Sequence, residues 1–270
     1  GDDDSEGEKG ASHKAKQSAP AEPADPQTAA IDIALRRVIA GGAADLSVQP
    51  IIAAGRGEAG GFEAHVHVQP EEGSPVDIRR LDRLVADVDP AVYERMTVTS
   101  ASEVVRRRLG DINERRPLHV AISNALLQDG MEFAAVLDIF KLHPSVARSI
   151  VLSVPVPVLE GGQHMASLEL LSGLDLRFVA EDWSGTSEEL DLVKKARFVA
   201  VKVPADRLLD RTKVRKGGPD GAAFVDMARG AGLDLIATDV PSEEDAVALI
   251  EMGVDLMTGN RLAAPRLLKS

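Results

Sequence analysis

The sequence FEAHVHV, at residues 62–68, alternates apolar with polar side chains and therefore predicts a β-strand. Because successive side chains of a strand point to opposite faces, Glu63, His65 and His67 share one face. The apolar residues between them, and the two glycines that precede them, indicate that a turn delivers this strand into a packed sheet. We then expect the polar face of the strand to line a cavity or a site.

The chain is long enough for one large domain. It has 270 residues, of which 44% are hydrophobic, and an α/β barrel commonly takes about 250 residues. Its 43 acidic residues outnumber its 31 basic residues and give a formal net charge of -12. Nonspecific binding to nucleic acid needs clustered Lys and Arg, so this charge argues against a nucleic-acid partner. A single small anionic ligand remains compatible with it.

Composition also bears on the compartment. The sequence has no cysteine, which excludes disulfides and thiolate metal sites and favours a reducing compartment, the cytoplasm. No run approaches the roughly 18 apolar residues of a membrane-spanning helix, and no signal-peptide pattern opens the sequence. We expect a soluble chain, and we leave a membrane anchor upstream of Gly1 open as an alternative.

The first 28 residues differ from the rest. They are polar, begin with an acidic run and become rich in proline, so they bury too little apolar surface to offset the entropy of ordering. Residues 1–28 are therefore predicted to form a disordered tail or linker, and residues 29–270 one folded domain. A helix is predicted at residues 31–39, ended by the glycines at 41 and 42.

Short β-rich runs then alternate with helical segments, a pattern typical of a parallel α/β sheet or barrel. The predicted strands lie at residues 46–53, 62–68, 118–123, 149–154, 175–180, 198–203, 233–238 and 254–258. About eight strands close a barrel of the TIM (β/α)8 type. Only a glycine-rich turn at residues 55–61 joins the first two strands, so we expect this opening pair to be antiparallel.

The helices between the strands are expected mainly to supply core and caps. They are predicted at residues 131–142, 187–195, 222–229 and 246–252, the last capped by Ser242 and the acidic residues after it. Residues 78–109 are also predicted to be helical. Within them, residues 96–99 (MTVT) either start a strand or interrupt the helix, and the sequence does not decide between the two.

A metal-dependent hydrolase is the first chemical hypothesis for the polar strand. Glu63, His65 and His67 offer oxygen and nitrogen ligands of the kind that zinc accepts. A barrel hydrolase of that kind needs further histidines at later strand ends, and the remaining four, at positions 13, 119, 143 and 164, are not placed there. The alternative is that these histidines pack or line a ligand pocket.

Lys202 is the second candidate, because it stands inside an apolar predicted strand. An unpaired buried ammonium is costly, so Lys202 must either meet an anion or extend to the mouth of the barrel. Glu181 and Asp182 follow the preceding strand, which makes a carboxylate facing Lys202 a reasonable expectation. Helix capping is the alternative role for these two acids.

Eight short motifs follow one another along the predicted strands. They are QPII at 49–52, FEAH at 62–65, VAIS at 120–123, LSVPV at 152–156, EDWS at 181–184, VKV at 201–203, IATDVP at 236–241, and a closing run from Gly253 through Gly259 to Pro265. In this order they resemble the motifs of the EAL domain family, over residues from about 31 to 268. Members of that family are modified TIM (β/α)8 barrels that hydrolyse or bind the bacterial second messenger cyclic di-GMP.

The departures from the family pattern bear on activity. The resemblance implies that active members hold two divalent cations with acidic and amide side chains, which activate the attacking water. At the matching positions this chain keeps Glu63 and Asp182 and has Glu181 in place of an aspartate. It loses three further ligands, where Ala121, Ser153 and Thr238 stand. Hard cations need several oxygen ligands in fixed geometry, so the resemblance implies a degenerate EAL domain with no catalytic residues, no bound metal and no phosphodiesterase activity.

Binding of cyclic di-GMP is a separate question, because non-catalytic members often keep the ligand after losing the metals. Candidate ligand-binding residues on matching positions are Gln49, Glu63, His67, Asp182, Lys202 and Pro265. Against binding, the family's ligand-facing arginine is His67 here, and the leucine of the EAL signature is His65. A neutral imidazole is a weaker phosphate partner than a guanidinium.

The stretches at residues 143–152 and 198–206 resemble degenerate members of the family that serve in flagellar assembly. The resemblance implies a receptor or scaffold for cyclic di-GMP with flagellar or polarity proteins as partners, tethered to the membrane through upstream segments, and it leaves a dimer open. Two alternatives remain: a protein-interaction module that binds no nucleotide, and the metal-dependent hydrolase using Glu63, His65 and His67.

Overall fold

The structure is a computed structural model that describes residues 25–81, 88–212 and 216–268. In this part of the chain there are ten strands: β1 Leu46–Ala53, β2 Glu58–Val68, β3 Val76–Ile78, β4 Leu118–Ala121, β5 Ile150–Pro155, β6 Arg177–Glu181, β7 Ala200–Pro204, β8 Asp234–Thr238, β9 Leu256–Met257 and β10 Arg266–Leu267.

The helices of the described residues are α1 Pro26–Gly41, α2 Pro90–Arg106, α3 Asn124–Gln128, α4 Gly130–Leu142, α5 Pro144–Ala147, α6 Met165–Ser172, α7 Ser187–Lys195, α8 Ala205–Leu208, α9 Gly221–Gly230 and α10 Glu243–Glu251. A kinked 3-10 segment, Val156–Gly162, follows β5. None of the helices in the described ranges combines the length and apolar character needed to cross a membrane.

Eight of the strands close into a barrel. β1 pairs antiparallel with β2 along its whole length, and its opposite edge pairs with β9 and β10. From β2 the ring continues in parallel through β4, β5, β6, β7, β8 and β9. β3 extends the ring by pairing with the end of β2. The predicted fold class, a modified (β/α)8 barrel with an antiparallel opening pair, is therefore confirmed.

Apolar side chains fill two separate regions. The larger core lies between the barrel and its helices, where Phe140, Phe178 and Phe224 are buried. The second is the interior of the barrel, where Ile51, Val151, Val179, Ala200 and Ile236 pack together with the partly buried Leu256. This inner layer forms an apolar floor in the ring, and side chains nearer the mouth lie above it.

The N-terminal boundary of the domain differs from the prediction. α1 begins at Pro26, so the last three residues of the tail predicted at residues 1–28 are helical. A proline suits this position, because the first turn of a helix needs no amide proton from it. Residues 1–24 of the predicted tail lie outside the described residues.

The ambiguous segment at residues 96–99 is helical. It lies inside α2, where Thr97 and Thr99 donate their hydroxyls to the carbonyl oxygens of Tyr93 and Arg95, four residues earlier. These bonds satisfy the hydroxyls of residue types that otherwise favour strands. The helix itself begins only at Pro90, because Asp89 caps it by accepting the amide proton of Ala91.

Candidate functional site

A layer of polar side chains lies above the apolar floor of the barrel. Side chains two residues apart on a strand share a face, so the inward positions one step nearer the mouth follow from the floor residues. They are Gln49 on β1, Ser153 on β5, Glu181 on β6, Lys202 on β7 and Thr238 on β8. Glu63 on β2 joins this layer, because it stands opposite Gln49 in the β1–β2 pair.

Lys202 is at the centre of the polar layer. Its ammonium contacts Glu63, donates to Ser153 Oγ at 2.8 Å and lies 3.4 Å from Glu181 Oε1. Glu63 is 2%, Lys202 3% and Glu181 4% exposed. A buried ammonium is tolerated only with such partners. The expected carboxylate facing Lys202 is therefore present, and it is Glu181.

Two arginines, Arg79 and Arg80, enter the same centre from the segment that follows β3. Arg79 donates from Nε to Glu63 Oε2 at 3.0 Å, and its Nη2 contacts Glu181. Arg80 donates from Nη1 to Glu181 Oε2 at 3.2 Å and to Asp182 Oδ2 at 3.3 Å. The side chain of Arg80 is 38% exposed, so it forms the outer rim while Arg79 lies deeper.

These charges shift the pKa values of the central pair. Burial by itself would raise the pKa of Glu63, but the attraction of Lys202 and Arg79 outweighs burial and holds that pKa far below its ordinary value. Burial lowers the pKa of Lys202 to about 7, with repulsion from Arg79 and Arg80 acting in the same direction against the attraction of Glu63. The carboxylate of Glu63 is therefore ionised at neutral pH.

His119 on β4 lies beside this centre, directly opposite Glu63 in the β2–β4 register. Burial lowers its pKa to about 3, and the ammonium of Lys202 acts in the same direction. The imidazole is thus neutral at physiological pH. His119 does not stand at the C-terminal end of its strand, which agrees with the sequence-based expectation, but it contributes to the electrostatics of the site.

His67, which the sequence placed among the ligand-binding residues, has a protein partner. Its Nδ1 lies 2.9 Å from Asp77 Oδ1 on β3 and 3.4 Å from Ser47 Oγ on β1. Burial lowers the pKa of His65, the next histidine on this face. With Glu63 held by two cations and His67 by Asp77, the three side chains do not converge, which counts against the metal-hydrolase alternative. Among the described residues, no group of three or more His, Cys, Asp or Glu is placed to hold a metal ion.

The remaining sequence-predicted residues are distributed around the mouth. Gln49 donates to Asn260 Oδ1 and to the carbonyl oxygen of Ala263, both at 3.0 Å, so it holds the closing loop of the barrel. Asp182 lies at the rim, 56% exposed at its side chain, with a left-handed φ of 57°. Pro265 is half-buried immediately before β10. The centre thus brings Glu63 and Lys202 into contact and reaches Asp182 through Arg80, whereas Gln49 and His67 bond to other partners.

The sequence does not predict Arg79 and Arg80 as residues of the site. They fall in the stretch predicted to be helical, and a surface helix rich in arginine needs no special explanation. The signal that was available is the triplet at 76–78, whose β-branched residues flank one polar residue just after the proline-containing turn. A third strand there would have carried the two arginines back over the end of β2.

A cavity of about 280 Å³ opens beside the two arginines. Its lining includes Arg79 and Arg80 together with Tyr93, Ser123 and Asn124. Glu94 fixes the loop after β4, because it accepts the amide proton and the hydroxyl proton of Ser123 at 3.0 and 2.6 Å. Guanidinium groups beside hydroxyl and amide groups suit a ligand that carries phosphate together with a polar heterocycle.

The chain matches a known protein family and has a fold similar to that of solved structures. The model of the EAL domain family matches residues 33–265. An EAL domain protein from Listeria monocytogenes has a similar structure, with a TM-score of 0.68 and 17% identity over 90% of this chain and 95% of that one. Among curated protein sequences, none matches the chain significantly.

Two further structures contain cyclic di-GMP. The EAL domain of Xanthomonas citri FimX, in complex with it, has a TM-score of 0.69 at 14% identity, over 90% of this chain and 95% of that one. The Vibrio cholerae LapD fragment of S helix, GGDEF and EAL, bound to it, has a TM-score of 0.69 at 12% identity, over 86% of this chain and 56% of that one. At these identities the likeness establishes the fold.

Proposed function

We propose that this chain, which belongs to the EAL domain family, binds cyclic di-GMP at the mouth of its barrel and does not hydrolyse it. One observation carries the proposal: two cations of the chain itself, Lys202 and Arg79, neutralise the buried carboxylates Glu63 and Glu181. A centre of this charge suits a receptor for a phosphate diester better than a site that activates water.

The inward side chains support the absence of hydrolysis. Three positions where the resemblance to active members implies metal ligands hold Ala121, Ser153 and Thr238. In this chain Ser153 Oγ accepts a hydrogen bond from the ammonium of Lys202, so even its hydroxyl is already engaged. Activation of water for phosphodiester cleavage by a metal pair needs several fixed oxygen ligands, which this set does not supply.

The wall of the cavity supports binding. The family's ligand-facing arginine is His67 here, and His67 is engaged with Asp77. Arg80 offers a partly exposed guanidinium group on another element, at the edge of a cavity of about 280 Å³ that Arg79 also lines. Guanidinium groups recognise phosphate oxygens in a planar, two-point geometry. A cavity of this size admits one phosphate and part of a base, so the rest of the dinucleotide would lie across the open mouth.

FimX and LapD are structural neighbours that contain cyclic di-GMP, which supports this ligand over other phosphate diesters. Within the family, the stretches at 143–152 and 198–206 resemble the degenerate EAL domain of the flagellar assembly factor TipF. The proposal therefore extends to a cytoplasmic receptor that reports ligand occupancy to flagellar or polarity proteins and is tethered through upstream segments.

Calorimetric titration of cyclic di-GMP into the protein tests the proposal, with Mg²⁺, with Ca²⁺ and with a chelator. We expect saturable heat in all three buffers and no linear dinucleotide after prolonged incubation with metal. Absence of heat in every buffer would contradict binding of cyclic di-GMP and favour the protein-interaction module that binds no nucleotide. Linear product that depends on Glu63 would overturn the non-catalytic assignment.

A further inference from the structure

Arg79 spans the two buried carboxylates of the centre. Its Nε is 3.0 Å from Glu63 Oε2 on β2, and its Nη2 contacts Glu181 on β6. These two strands are separated in the ring by β4 and β5. Lys202 reaches both carboxylates from inside the ring, and Arg79 is a second group that reaches both from outside it. The pairing of β2 with β3 provides that group, because β3 ends at Ile78 and delivers the next residue over the mouth.

The centre is balanced in charge without any added ion. Glu63 and Glu181 contribute two negative charges, and Lys202 and Arg79 two positive charges. Arg80 then pairs with Asp182 at the rim, adding one further charge of each sign. A divalent cation placed between Glu63 and Glu181 would meet two fixed cations at contact distance, with little water to screen them.

The oxygen ligands that a metal pair needs are also missing around these carboxylates. The neighbouring inward positions are occupied by Ala121, Ser153 and Thr238. In the described part of the chain no cluster of three acidic, histidine or cysteine side chains is arranged for a metal. Hard divalent cations take six or more oxygen ligands, of which this centre could offer only a few. The two-metal arrangement implied by the family therefore does not fit this chain.

We infer that Arg79 is the resident cation of this centre, holding Glu63 and Glu181 together in the place where active family members hold a divalent metal. Arg79 is a positioning residue in this role, since it acts on the ligand through the two carboxylates it fixes. The inference deepens the proposed function and rests on it only where nucleotide is concerned. The site is thus organised before any metal arrives, and ligand affinity is independent of divalent cations.

Binding of Mn²⁺ without nucleotide tests the inference directly, by electron paramagnetic resonance of the free ion. Wild-type protein and the Glu63→Gln variant should bind Mn²⁺ equally weakly, because Glu63 is already occupied. Arg79→Gln should bind at least about tenfold more tightly, since it removes one of the two cations that contact both carboxylates. Arg79→Gln combined with Glu63→Gln should lose that gain. Arg37→Gln is the matched control, because it removes a guanidinium from the exposed pair with Glu71.

If Arg79→Gln folds poorly, the melting temperatures of the variants with and without Mn²⁺ provide a second test. Mn²⁺ should raise the melting temperature of Arg79→Gln and leave those of the wild type and Arg79→Lys unchanged, because lysine keeps the positive charge. Mn²⁺ binding by the wild type that depends on Glu63 would overturn the inference, and so would equal Mn²⁺ affinity of the wild type and Arg79→Gln. Failure of cyclic di-GMP to bind would overturn the proposed function but leave these metal results standing.

Discussion

Asp77 and His67 face each other across the antiparallel pair of β2 and β3, with 2.9 Å between Asp77 Oδ1 and His67 Nδ1. The side chain of His67 is only 17% exposed and that of Asp77 27%. An imidazole held in this way has one nitrogen committed to the protein. It is therefore a poor substitute for an arginine that must follow the phosphate of a ligand.

The first prediction compares His67 with Arg80. Replacing Arg80 by alanine should weaken cyclic di-GMP binding at least about tenfold, because it removes a partly exposed guanidinium from the cavity wall. Replacing His67 by alanine should change the affinity less than about threefold. Calorimetry on both variants shows which one loses more affinity for cyclic di-GMP. A larger loss for the His67 variant would contradict the prediction and indicate that His67 on β2 contacts the phosphate.

The second prediction concerns the stability that Lys202 provides. Lys202→Met should lower the free energy of unfolding by about 3–5 kcal/mol, because it leaves buried carboxylates short of a partner. Urea unfolding followed by the fluorescence of Trp183, the single tryptophan, measures it. The urea unfolding is measured at about pH 6, where Lys202 is mostly protonated.

Two controls define that result. Lys195→Met, at the exposed end of α7, should change the unfolding free energy by no more than about 0.5 kcal/mol. Glu63→Gln combined with Lys202→Met should cost less than the sum of the single changes, since both members of one pair are then neutral. Equal effects of Lys195→Met and Lys202→Met would show that the central pair adds nothing.

Acid sensitivity is the third prediction, and it rests on His119. The folded protein holds the pKa of His119 at about 3, against 6.5 in a model compound. Between those values the unfolded chain binds a proton that the folded chain does not, so stability falls as the pH is lowered through 6.5. The slope from this residue is up to about 1.4 kcal/mol per pH unit. His65, whose pKa burial also lowers, adds a loss of the same sign.

Urea unfolding between pH 6.5 and pH 5 measures the loss, which should reach about 2 kcal/mol from His119 alone. Glu63 adds little in this window, because its stabilising contribution is lost only below its ordinary pKa of 4.5. His119→Gln should give a visibly shallower dependence on pH. Parallel curves for the wild type and this variant would assign the acid sensitivity to other groups.

The fourth prediction is steric and concerns Gly221, the first residue of α9. A Cβ added there would lie 1.6 Å from the carbonyl oxygen of Leu208, a backbone atom that cannot turn away. Gly221→Ala should therefore lower the unfolding free energy by at least about 2 kcal/mol. Gly130→Ala, at the start of α4, meets nothing within 4 Å and should be neutral or slightly stabilising. Similar melting temperatures for the two variants would contradict the close approach of α9 and α8.

Local pattern was enough to predict most of the barrel. β1 was expected at residues 46–53 and is Leu46–Ala53, and α7 was expected at 187–195 and is Ser187–Lys195. Both have clear periodicity and strong end signals, such as the Thr186 hydroxyl that accepts the amide proton of Glu189. The antiparallel opening pair followed from the shortness of its turn.

The site was predictable only where a residue had to be paired. Lys202 in an apolar strand required an anion, and Glu181 supplies it. Arg79 and Arg80 had no such signature, because their position depends on the pairing of β2 with the three-residue β3, and so short a strand carries almost no periodicity. Likewise His67 looked available for a ligand until the register of that pair placed Asp77 opposite it.

The two edges of β1 have partners at very different distances along the chain. One edge pairs with β2, a few residues downstream, and the other with β9 and β10, more than two hundred residues away. During synthesis the opening hairpin can form almost at once, but its outer edge keeps unpaired amide and carbonyl groups until residues 256–267 have left the ribosome. Exposed strand edges of this kind recruit other strands. The barrel is thus most open to misassembly while the residues between β2 and β9 are being translated, and pairing of β1 with β9 and β10 closes it.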